Sequence, residues 1–75
     1  MKWKLKEYLD RNGLTVYQLW KATGLSKTGT YKIVNNQVGG LEFDALGRII
    51  TALERLTGKR VEPNDVLEVV RDAQA

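Results

Sequence analysis

The stretch Leu14-Thr15-Val16-Tyr17-Gln18-Leu19-Trp20-Lys21-Ala22-Thr23-Gly24-Leu25-Ser26-Lys27-Thr28-Gly29-Thr30-Tyr31-Lys32-Ile33-Val34-Asn35 decides how this chain folds. It reads as two short helices, over Val16–Thr23 and Lys27–Val34, joined by a tight turn at Gly24. Thr15 and Gln18 have the spacing of a capping box, in which each side chain takes a backbone N–H that the first helical turn leaves free. Leu14 before the cap and Leu19 after it are placed as a hydrophobic staple that sets the entry angle. Gly24 adopts a left-handed conformation without a Cβ penalty, which ends the first helix. Ser26 caps the second helix, and Leu25, Thr30 and Ile33 fall on its inward side.

Burying those three leaves Ser26, Lys27, Thr28, Tyr31, Lys32 and Asn35 on the opposite face. That face carries hydrogen-bond donors, two cations, one aromatic ring and no carboxylate. It suits a surface that meets phosphates and base edges in a DNA major groove. Gly29 costs about 1 kcal/mol relative to Ala in an exposed helix. Either it is sequence drift, or the missing side chain lets the backbone approach a neighbouring helix or DNA closely.

The run Leu14-Thr15, Leu19, Gly24-Leu25-Ser26, Ile33 and Asn35 resembles the helix-turn-helix of the Cro and phage-repressor (Xre) type. The resemblance continues through Leu41, Phe43, Leu46, the Ile49–Leu56 helix and Val66-Leu67, covering nearly the whole chain. It implies an all-α, compact five-helix domain that binds double-stranded DNA through its third helix, usually as a transcriptional regulator. Two positions depart from the family pattern. Trp20 stands where the family has a small Ala at the helix crossing, and Thr30 where it has Ile or Val. A crowded crossing and a weaker core anchor are the expected consequences.

Composition narrows the alternatives. Seventy-five residues suffice for one domain, 1–75, without a second core. Cysteine and histidine are both absent, so no disulfide, thiol nucleophile or imidazole base is available. With no nucleophile–base pair, metal-ligand cluster or Gly-rich phosphate loop in the sequence, neither an enzyme, a cofactor nor a metal is expected. No apolar run approaches the ~20 residues that span a bilayer, and no signal peptide precedes the domain, so a cytoplasmic protein is expected. Charge is distributed unevenly. Residues 1–39 hold seven cations and two acids, whereas residues 40–75 hold five cations and seven acids. No acid occurs between Arg11 and Leu41, a segment that includes the whole motif. A phosphate-facing surface requires this, although a solvated basic face without a partner would have it too.

The flanking segments complete the reading. Met1 to Asn12 reads as a first helix with Leu5, Tyr8 and Leu9 on one face. Trp3 falls off that stripe, so it either precedes the helix or packs against the C-terminal segment. Lys2, Lys4 and Lys6 read as solubilising residues, with DNA backbone contact as the alternative. Asn35 to Gly40 is a loop by composition. Phe43, Leu46, Ile49, Ile50, Leu53 and Leu56 give the strongest helical periodicity and predict a central core helix ended by Gly58. Gly47 on its flank suggests a close helix crossing. Pro63 suits the first turn of a last helix, over about 63–71.

Function follows as an expectation. Lys27, Thr28, Tyr31 and Lys32 are the candidates for base-edge contact. Thr15, Val16, Tyr17, Lys21, Ser26, Asn35, Asn36 and Gln37 are the candidates for the DNA backbone, the last two because the family's corresponding loop binds phosphate. Val66, Val69 and Val70 are more apolar surface than a short terminal helix hides, and are candidates for a homodimer or partner patch. The rival reading is an antitoxin-like module that grips a protein toxin, with or without binding its own operator.

Overall fold

The computed structural model describes residues 2–38 and 42–68. Its elements run β1 (Lys2–Trp3), α1 (Leu5–Arg11), α2 (Val16–Thr23), α3 (Lys27–Val34), α4 (Phe43–Thr57), α5 (Pro63–Val66) and β2 (Leu67–Glu68). Both motif helices occupy the residues expected of them. The Thr15 hydroxyl accepts the Gln18 N–H at 3.2 Å, and the Thr15 N–H donates to Gln18 Oε1 at 2.8 Å. Gly24 ends α2 at φ 77°, and Ser26 Oγ accepts the Gly29 N–H at 3.0 Å to start α3. These local hydrogen bonds satisfy donors that a helix start leaves free, so both boundaries are set by side-chain chemistry.

α4 closes the core beneath the motif. Leu5, Leu9, Leu19, Ile49, Leu53 and Val66 are fully enclosed, with Val34, Ala45, Ala52 and Val61 packed among them. Thr30 is enclosed as well, and its hydroxyl donates to the Ser26 carbonyl at 2.9 Å. That bond removes the cost of burying a hydroxyl, so Thr30 serves as a core residue. Trp20 is not among the enclosed core residues. It is half-buried, with its ring edge-to-face against Tyr17 at 5.6 Å.

Phe43 departs from the predicted core stripe and is 84% exposed. At about 100° per residue, Ala45 and Ala52 lie roughly 160–180° around the helix from it. Those two small residues take the inward positions, and Phe43 is left facing water. Gly47 marks no close crossing, because a Cβ built there meets nothing within 4 Å.

The two ends of the described chain meet in a ribbon that the sequence did not suggest. β1 and β2 pair antiparallel, Lys2 opposite Glu68 and Trp3 opposite Leu67. The Lys4 N–H donates to the Val66 carbonyl at 2.6 Å. The first helix therefore begins at Leu5, and Trp3 both precedes it and packs on the C-terminal segment at 6% exposure. The last helix is a single turn that gives way at Leu67 to extended backbone (φ −124°, ψ 144°). One turn is costly to nucleate, and Leu67–Glu68 pair with Lys2–Trp3 instead of extending it. The expected last helix is thus corrected at Leu67–Glu68, and residues 69–71 of it lie outside the described residues.

Candidate nucleic-acid interface

α3 presents the face that its sequence predicts. Lys27, Thr28, Tyr31 and Lys32 are exposed and, with Gln37, line one shallow depression of about 360 Å³. Gln37 sits there because its backbone N–H donates to the Lys32 carbonyl at 2.8 Å, folding the chain back over the helix end. The depression offers two ammonium groups, two hydroxyls and a side-chain amide, and Tyr31 adds an aromatic face.

The expected backbone-contact residues divide into two groups. Tyr17 and Lys21 are exposed on α2, and Asn35 is exposed at the end of α3. The side chains of Thr15 and Ser26 are occupied by helix capping, and Val16 is half-buried against the core. Asn36 has a structural task instead of a free amide. Its Oδ1 accepts the Trp3 N–H at 2.6 Å, and its Nδ2 donates to the Trp3 carbonyl at 2.9 Å. Trp3 is the ribbon residue whose backbone groups point away from β2, so the amide completes that open edge. Asn36 holds this pose at φ 57°, a left-handed conformation that Asn tolerates better than most residues.

Val66 is corrected from surface to core, with no exposed area, because the end of α5 packs it into the same apolar cluster as Trp3, Leu5 and Leu53. Val69 and Val70 lie outside the described residues.

Charge favours an anionic partner on the motif side. Among the described residues the ion pairs are Lys2–Glu68, Arg48–Asp44 and Arg60–Glu62, and none involves Lys21, Lys27 or Lys32. Two of them, Lys21 and Lys27, lie instead over aromatic rings. Lys21 Nζ lies 4.7 Å from the Trp20 ring centre and 5.5 Å from that of Tyr17, and Lys27 Nζ lies 5.8 Å from Trp20. Sequence reasoning missed this cluster. Tyr17 stands three residues before Trp20 and four before Lys21, the spacing of helical neighbours, which was legible, but the contact of adjacent Trp20 and Lys21 and the arrival of Lys27 across the turn were not.

Among the described residues, no group of three His, Cys, Asp or Glu side chains is arranged to hold a metal ion. No described helix is long and apolar enough to cross a membrane. No curated protein and no solved structure matches the chain. A family model does match residues 4–72, covering every described helix. The capped pair α2–α3, the acid-free outer face of α3 and that match agree, and the chain belongs to the Cro/C1-type helix-turn-helix DNA-binding domains.

Proposed function

We propose that the protein is a sequence-specific regulator of transcription, a repressor that enters the major groove with α3. The observation that carries this reading is the exposed α3 face. It holds cations and hydrogen-bonding groups, has no carboxylate, and stands clear of the core. Thr28, Tyr31 and Lys32 reach base edges, where an ammonium donates to guanine O6 or N7 and a threonine methyl meets a thymine methyl. Tyr17, Lys21 and Asn35 flank them on the phosphates, and Lys27 stands at the rim between the two groups.

Titrating selected duplexes at several salt concentrations tests the proposal. Each phosphate neutralised contributes about −0.9 to the slope of log K against log salt, so a handful of contacts gives a slope of several units. Lys32→Ala should change preference at one base position by about 1–3 kcal/mol. Lys32 is a backbone contact if its variant keeps the parent's preferences at every position. A flat salt slope, or no binding in about 50–100 mM salt, favours the antitoxin-like module. That alternative has lost Val66 as a partner residue, since the side chain is wholly core.

A further inference from the structure

We infer that Trp20 is a positioning residue for the DNA backbone, its indole holding the ammonium groups of Lys21 and Lys27 together as a two-cation rail for phosphates. The inference rests on the DNA-binding reading above. Lys21 comes from α2 and Lys27 from the first turn of α3, yet both ammonium groups lie within 6 Å of one indole centre. Tyr17 braces that indole edge-to-face, with the ring planes at 69°. A carboxylate would also hold a lysine, but it would neutralise the charge that a phosphate needs. An aromatic face attracts the cation through its quadrupole and leaves the full charge in place. The ring thereby removes part of the rotamer freedom that a flexible lysine loses on binding. Lys27 accordingly joins Lys21 on the backbone, and base reading falls to Thr28, Tyr31 and Lys32.

Two measurements on the full chain test this. In the free protein, ring current from Trp20 should move the ε-methylene proton resonances of Lys21 and Lys27 upfield, and Trp20→Leu should abolish the Lys27 shift and reduce that of Lys21, which also lies 5.5 Å from the Tyr17 ring. With duplex DNA in about 100 mM salt, Trp20→Leu should weaken binding to all sequences alike by about fivefold or more, with helical circular dichroism unchanged. In a Lys21→Met, Lys27→Met background, the same change should alter affinity less than about twofold, because coupled residues do not act additively. Trp20→Phe should recover part of the loss. Equal losses in both backgrounds, or absent proton shifts in the free protein, overturn the rail and leave the DNA reading intact. A parent protein that binds no duplex overturns both.

Discussion

Asn36 shows how one side chain decides more than its composition class suggests. An uncharged loop after a recognition helix invites the reading that its amides are free for phosphate, and the neighbouring Asn35 and Gln37 are indeed exposed. Asn36 is bound at both ends by the backbone of Trp3, 33 positions earlier in sequence. No local rule finds such a partner, because the spacing that matters is set by the fold. Asn36→Ala leaves a partly buried N–H without its acceptor and puts a Cβ-bearing residue with no local side-chain hydrogen bond in the left-handed region. It should cost about 2–4 kcal/mol in denaturant unfolding. Asn36→Gly loses the same hydrogen bonds but not the conformational freedom, and should be milder by about 1 kcal/mol. If the two variants unfold together within error, backbone conformation is not part of the role of Asn36.

At the scale of elements, the sequence was legible wherever the deciding interaction is local. The Thr15–Gln18 box, Gly24 and the Ser26 cap lie within a few residues of the boundaries they set: α2 begins and ends, and α3 begins, where those residues require. The ribbon was illegible because nothing local to Lys2–Trp3 marks a strand until Leu67–Glu68 is brought beside it. The position of Phe43 was misread for a related reason: periodicity counted large apolar residues, while Ala45 and Ala52 took the inward positions. The glycines of α3 and α4 separate two effects that sequence cannot distinguish. A Cβ at Gly47 enters open space, so Gly47→Ala should stabilise the domain by about 0.5–1 kcal/mol. A Cβ at Gly29 would stand 2.8 Å from Ser26 Oγ, the atom that caps α3. Gly29→Ala gains the same propensity but disturbs a cap worth about 1 kcal/mol, so no net gain is expected. Thermal melts of the two variants decide between these outcomes, and equal stabilisation would mean that the Ser26 hydroxyl shifts aside without loss.

The whole molecule places α3, the helix proposed to enter the major groove, on a base tied together from three distant parts of the chain. Trp3 is the common point of that base. Its side chain is in the core, its strand pairs with β2, and its backbone holds Asn36 just beyond the end of α3. A chain of this size buries a smaller share of its surface than a larger domain does, so its total stability lies toward the low end of the ~5–15 kcal/mol typical of domains. Trp3→Ala removes a large buried ring and should cost about 3–5 kcal/mol, enough to leave much of the population unfolded at room temperature. Trp3→Phe keeps most of the packing and should melt cooperatively at a lower temperature. It also leaves Trp20 as the sole tryptophan, a fluorescent reporter placed on the proposed phosphate rail. Circular dichroism melts of the parent and both variants test the arrangement. If Trp3→Ala melts within a few degrees of the parent, the buried indole contributes little to the base that supports α3, and the backbone links of Trp3 to β2 and Asn36 carry it instead.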